Sequence, residues 1–419
     1  MSMPRKSRFI RLCLLSAVSV VLVCAPGIMA EWPQFGGPNR DFTVETQEIA
    51  DQWPKEGPKR LWSRTLGDGN STIVAKAGSL YTMYRNGDQE VIIALAQDTG
   101  EPLWEFPYDA PFVGGMDMEF SPGPHSTPLV TARHVYAVGV TAKLHCLARE
   151  TGELVWERDL MEEFGASHLG RGYSASPLAY KETVILPIGG AGQSLIAFNQ
   201  SDGSVVWQAQ DFRLSHASPL LIQFAGKDQL IAFMGGELAG LDPNDGRLLW
   251  SHPHKTEWDA NIVIPCFDGN DLIFCSAAYG SGSRVIKLTE EGGTIKAEQL
   301  WYNNKVQIHH GNAVRIGDHV YGSSGDFGPA FFTCVNFKTG KIEWRERGFS
   351  KATCVYADGK LILLGEDGEL ALATVTPKGM KVHSRSEFFS TRSWSAPTLV
   401  GKTLYLRDRK EIVAVDLGV

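Results

Sequence analysis

An all-β fold, an eight-bladed β-propeller of four-stranded antiparallel blades with its ring closed by pairing N- and C-terminal strands, is what three features of this 419-residue sequence predict. A phrase containing a turn glycine followed four residues later by tryptophan recurs at a nearly constant interval. Each interval holds short runs of β-branched and aromatic residues separated by Gly, Asp and Asn, which are strand and hairpin signals. No amphipathic stretch of ten or more residues at the helical period stands out.

The phrase reads Asp98-Thr99-Gly100 to Trp104, Glu150-Thr151-Gly152 to Trp156, Ser201-Asp202-Gly203 to Trp207, Asn244-Asp245-Gly246 to Trp250 and Lys338-Thr339-Gly340 to Trp344. Trp301 closes a degenerate copy after Glu291-Gly292-Gly293, while Trp62 and Phe388 fall where two further closures are due. Closing positions 42 to 52 residues apart mark a repeat architecture. Within one unit the strands are expected at Ser126 to Val130, His134 to Val140, Leu144 to Ala148 and Leu154 to Glu157, the content of a propeller blade. Glycine supplies the positive φ of a tight turn, and the tryptophan is expected to wedge between blades. That assigns a structural role to Trp62, Trp104, Trp156, Trp207, Trp250, Trp301 and Trp344.

Seven units run to Phe388, and residues 389 to 419 supply only three strands. Lys59 to Trp62 provides the missing one, closing the ring without an open edge. The chain is therefore divided into residues 1–30, a signal peptide; 31–58, an extended segment; and 59–419, a single propeller. The leader has a basic start at Arg5, Lys6, Arg8 and Arg11, an apolar run from Leu12 to Val23 and a cleavage site after Ala30. The run is short for a transmembrane span, so a periplasmic or secreted, monomeric protein is expected. A lipid anchor at Cys24 fits poorly, because Val23 stands where a small residue is required.

Loss of the leader moves the net charge from −7 toward −11, which argues against nucleic acid as a partner. Cys146, Cys266, Cys275, Cys334 and Cys354 remain, an odd number. Cys266 and Cys275 flank an Asp268-Gly269-Asn270-Asp271 turn and could bridge a hairpin or serve as small core residues.

Ala94 to Trp104 resembles the tryptophan-docking repeat of the PQQ-like (pyrroloquinoline quinone) propeller superfamily, which includes quinoprotein alcohol dehydrogenases and the outer-membrane assembly lipoprotein BamB. Glu31 to Arg40 is similar to the start of many exported bacterial members. The early acidic position of the repeat is kept at Asp242 and Asp416 and replaced by Ala96, Ala148, Asn199 and Asn336.

Propellers work at the mouth of the central channel. His125-Ser126-Thr127-Pro128, Ser174-Ala175-Ser176-Pro177, His216-Ala217-Ser218-Pro219 and Trp394-Ser395-Ala396-Pro397 share one frame at the start of an innermost strand. Extended by repeat position, the frame gives Asn70, His125, Ser174, His216, Asp259, His310, Lys351 and Trp394 as a candidate ligand site, with three histidines able to titrate near neutral pH or bind metal. Loops on the same face add Asp117, Met118, Glu119, His168, Arg171 and Asp326. By resemblance to the dehydrogenases, Trp394 could floor a PQQ ring and Asp259 with Asn261 could offer oxygens to calcium. The family's adjacent cysteines are missing, no Cys-x-x-Cys-His for haem occurs, and no metal ligand set is assigned. Gly189-Gly190-Ala191-Gly192 lies between β segments and reads as a turn. Two functions follow: a non-enzymatic binding protein for a protein, peptide or carbohydrate, or a PQQ- or metal-dependent oxidoreductase of alcohols or sugars.

Overall fold

The protein's structure, a computed structural model, describes residue 1 and residues 31–418 apart from residues 47, 120 and 329. The expected signal peptide, Cys24 included, lies outside the described residues. Eight sheets form the propeller, at residues 74–109, 129–159, 178–209, 220–254, 266–303, 314–346, 353–387, and 398–416 with 59–65, numbered here as blades 1 to 8. Each carries four antiparallel strands. Lys59–Thr65 pairs with Glu411–Asp416 as the outermost strand of blade 8, which closes the ring.

The repeated phrase builds the joints. The Gly152 turn, at φ +73°, lays its Cα against the indole of Trp104 so closely that a Cβ would come within 2.6 Å of the ring. Gly100 on Trp62, Gly203 on Trp156, Gly246 on Trp207 and Gly340 on Trp301 repeat the contact. Glycine is thus required twice, by the backbone angle and by the neighbouring indole. Each of these indoles also donates Nε1–H to the next blade's turn, as Trp104 does to the Arg149 carbonyl (3.0 Å) and Trp156 to Gln200 (3.1 Å). The early polar position caps the same turn: Asp242 accepts from Asn244 N, and Asn199 from Ser201 N. The residue before the tryptophan is the bulged one and faces solvent, with Leu103 54% and Val206 50% exposed.

Three joints depart from this plan, the mildest being that of Trp344, which still donates to the Thr376 carbonyl of blade 7 but has no turn glycine against its indole. Blade 5 lacks the docking turn and extends into a long hairpin, Gly282–Glu291 with Thr294–Asn303. Trp250 consequently turns its Nε1–H to Gln229 Oε1 in its own blade (2.8 Å). In blade 7 the register places Ser384, not Phe388, at the tryptophan position. Phe388 is buried at the strand's end under the Arg60 guanidinium, and Trp53 of the N-terminal segment docks on Ser384, whose hydroxyl meets both Trp53 N and O.

Residues 31–58 close one end of the channel. Trp32 pairs with Ala75 in blade 1, Pro33 O accepts from Val130 N in blade 2, and Thr43–Val44 joins the innermost strand Thr353–Ala357 of blade 7 in parallel. Arg40, 3% exposed, donates to the carbonyls of Ser176 and Pro177 in blade 3, and burial lowers its pKa to about 9. A cleft of about 910 Å³ remains between this segment and blades 4 to 6, lined among others by Phe42, Ile222, Cys266 and Arg315.

The five described cysteines are free. Cys266 sits opposite Phe274, which puts Cys275 on the other face of the blade and rules out a bridge between them, one of the two alternatives for this pair. Burial pushes both thiols up to about 12. Among the described residues no helix is long and apolar enough to cross a membrane.

Candidate functional site

The open end of the channel is where the innermost strands begin. Asn70, His125, Ser174, His216, His310 and Trp394 each stand four residues before the strand in their blade, and the inner-hairpin register of blade 7 gives Lys351 the same place. All seven are partly exposed, and the residue two further on is buried in every case. That buried residue is a staple in five neighbouring blades. Ala396 N donates to Thr72 Oγ1, Thr72 N to Thr127 Oγ1, Thr127 N to Ser176 Oγ, and Ser176 N to Ser218 Oγ (2.8 to 3.3 Å). The Ser/Thr before proline in the shared frame is therefore explained by interblade hydrogen bonding.

Blade 5 corrects the frame. Cys266 faces Phe274 as Val74 faces Tyr81, so Ile262 is the equivalent position and Asp259 lies three residues earlier. A longer approach from blade 4 causes the offset, since it inserts a single turn at Glu257–Asp259. Asp259 ion-pairs with Arg213 there (2.7 Å). The ring thus contains one aliphatic member.

The mouth residues hold one another. Ser174 Oγ and His216 Nδ1 are 2.6 Å apart, and Asn70 Nδ2 reaches Ser121 Oγ at 2.9 Å and His125 Nδ1 at 3.5 Å. Glu366 gathers Lys351 (3.4 Å), Ser350 (3.0 Å) and Trp394 Nε1 (3.4 Å). The expectation of histidines titrating near neutrality is overturned. Burial, reinforced by nearby cations, lowers His125, His216 and His310 to about 4, so all three are neutral at pH 7. His309, which sequence reasoning passed over, is 1% exposed and pushed well below the usual range by burial and by His310, His216 and Lys351.

Of the loop candidates, Arg171 joins two loops through Asp117 (2.9 Å), Glu119 is exposed beside it, and Asp326 caps Phe327 N. A row of rings was missed. Trp258, Tyr279, His309, His310 and Trp394 follow one another at centroid separations of 5.0, 4.9, 4.6 and 5.4 Å, with Phe327 against Tyr279 at 5.2 Å. The available signal was aromatic residues beside glycine in loops of this face, at Tyr279-Gly280 and Phe327-Gly328.

The superfamily's PQQ and calcium can be tested against these donors. His310 stacks on Trp394 at 15°, and the Arg392 guanidinium lies 4.6 Å from the same ring's centroid. Asp259 is taken by Arg213, and Asn261, fully buried, spends its amide on Met234 O and Thr256. Among the described residues no group of three or more His, Cys, Asp or Glu could hold a metal. The residues present do not fit a stacked quinone with a hard cation.

Comparison with known proteins agrees with this architecture. The outer membrane protein assembly factor BamB of Shewanella oneidensis is 23% identical over 300 residues, 67% of this chain and 71% of that protein. BamB of Moranella endobia is 26% identical over 222 residues, which span 52% of this chain and half of that relative. The crystal structure of BamB from Moraxella catarrhalis superposes with a TM-score of 0.59 at 16% identity, covering 86% of this chain and 98% of the other. Quinohemoprotein alcohol dehydrogenase ADHIIG from Pseudomonas putida gives 0.61 at 11% identity, over 93% and 80%, a likeness of fold. Residues 87–346, more than half of the chain, match the PQQ_2 family, described as outer membrane protein assembly factor BamB, and the chain belongs to that family.

Proposed function

We propose that this BamB-like propeller is an exported, periplasmic or secreted, non-enzymatic binding protein that engages its partner through the channel mouth and the loops around it. One observation carries the reading. Loops on the mouth face expose large apolar side chains, with Phe327 82%, Trp258 62% and Phe112 43% exposed, while the polar groups of the mouth are engaged with one another. Exposed aromatics on a rigid scaffold suit recognition, and a polar set already satisfied suits it better than proton transfer. The printed role of the relatives, outer membrane assembly, supports a binding function. The oxidoreductase alternative draws on a likeness of fold, and fold alone does not carry chemistry.

A photo-reactive residue placed at position 327, and separately at position 103 on the bulged outer strand of blade 1, tests the assignment in cells. The reading predicts a discrete adduct from 327 and none from 103. Adducts from 103 alone, or from neither, would contradict it.

A further inference from the structure

The N-terminal segment covers the inner edges of the propeller unevenly. Trp32 exchanges main-chain hydrogen bonds with Ala75 of blade 1 (2.9 and 2.8 Å), and Pro33 O accepts from Val130 N of blade 2 (2.8 Å). Phe42 O accepts from Tyr356 N of blade 7 (2.9 Å), where Thr43–Val44 runs on as an added parallel strand. Arg40 holds the carbonyls just before the inner strand of blade 3, and Thr46 Oγ1 reaches Gly401 O of blade 8 (3.0 Å). Among the described residues no hydrogen bond from this segment reaches blades 4, 5 or 6. The innermost strands there, Leu220–Phe224, Cys266–Phe267 and Val314–Ile316, each end their sheet with one edge unpaired.

The cleft of about 910 Å³ lies against those edges. Leu220, Leu221 and Ile222 all line it, and so does every residue from Ile264 to Gly269. Successive side chains of a strand point to opposite faces, so an unbroken run along one wall brings the strand's edge, with its free N–H and C=O groups, to the cleft. On the blade 6 wall the Arg315 Nε–H is buried without an acceptor among the described groups, a state that a carbonyl from an incoming chain would relieve. The rim carries Asp41, Glu45 and Asp268, none with a basic partner among the described residues. Asp41 and Asp268 each use one carboxylate oxygen to cap their own loop. Arg315 sets one charge against these three. Edge groups for backbone pairing, aliphatic walls, an unused donor and an excess of negative charge suit an extended peptide with basic side chains.

We propose that this cleft receives an extended segment of a partner protein, apolar at its centre and basic at its flanks. It adds to the inner edge of blade 4, whose five-residue strand is the longest of the three, as Thr43–Val44 adds to blade 7. One of its carbonyls takes the Arg315 donor, and its Lys or Arg side chains meet Asp41, Glu45 and Asp268. The cleft is at the opposite end of the channel from the mouth, so this site stands or falls apart from the mouth reading.

The test is a calorimetric titration of acetyl-Lys-Val-Ile-Val-Lys-amide into the protein from Glu31 onward. Two further peptides run beside it, one with Glu at both ends and one with alternate amides N-methylated. Saturable binding of the basic peptide is expected, with binding about tenfold weaker for each of the others, since one meets like charge and the other lacks donors for the strand edge. Asp41→Asn combined with Glu45→Gln, exposed changes that keep the capping oxygen at position 41, should narrow the gap between the basic and acidic peptides. Amide hydrogen exchange in the complex should slow within residues 220–224 and stay unchanged within 353–357, whose edge Thr43–Val44 already covers. The proposal is overturned by no binding of the basic peptide to folded protein, by equal binding of the methylated one, by equal or tighter binding of the acidic one, or by slowed exchange confined to the mouth loops.

Discussion

The two ends of the channel are made from the same eight innermost strands and treated in opposite ways. At the closed end the chain supplies its own ligand: Trp32 is fully buried, Phe42 nearly so, and Arg40 caps carbonyls of blade 3. At the open end the seven in-register residues stay partly exposed, and exposed aromatics surround them. The N-terminal segment ties blades 1, 2, 3 and 7 together at one end, while the other end offers exposed aromatics around the channel mouth. Side chains at the closed end should therefore govern stability, and those at the mouth should govern binding.

The largest effect expected from that contrast is for Trp32→Ala. Removing a fully buried indole should cost about 3 to 5 kcal/mol in denaturant unfolding. Arg40→Leu comes next, at about 1 to 3 kcal/mol, because the Ser176 and Pro177 carbonyls lose buried donors. Acid provides a third contrast. The folded pKa values of His125, His216 and His310 lie near 4, below the unfolded value near 6.5, so the unfolded chain takes up protons first. Their contribution is complete above pH 6.5 and is lost as pH falls from 6.5 to 4, by roughly 1 kcal/mol per histidine once partial exposure is allowed for. Thermal scans between pH 7 and pH 4 should show a shallower fall for His216→Gln than for the parent. The smallest change is expected for Trp258→Ala, within about 0.5 kcal/mol, since its side chain is mostly in solvent. A large loss there would mean that the row supports the fold.

The sequence showed the ring and its joints because one phrase carries both turn and docking chemistry: glycine for angle and approach, tryptophan for the wedge. Where chemistry replaced the phrase, reading failed. Ser384 gives no hint of the tryptophan position, and the segment its hydroxyl binds, the backbone of Trp53, lies over 300 residues earlier in the chain. Asp259 was chosen by counting, and an inserted turn moved the register to Ile262. The frame that ends in Ser/Thr-Pro locates the mouth, although the hydroxyl in that frame is a staple between blades. The ring row escaped notice because its members come from loops of different blades, and no spacing in the sequence links them.

The central claim is that the mouth binds a partner without a quinone cofactor, and a calorimetric titration of PQQ with calcium into the protein from Glu31 onward tests it most directly. The account predicts no saturable heat from folded protein, because His310 and Arg392 already occupy the ring of Trp394. One-to-one binding that disappears in Trp394→Ala would contradict it and make the mouth an oxidoreductase site.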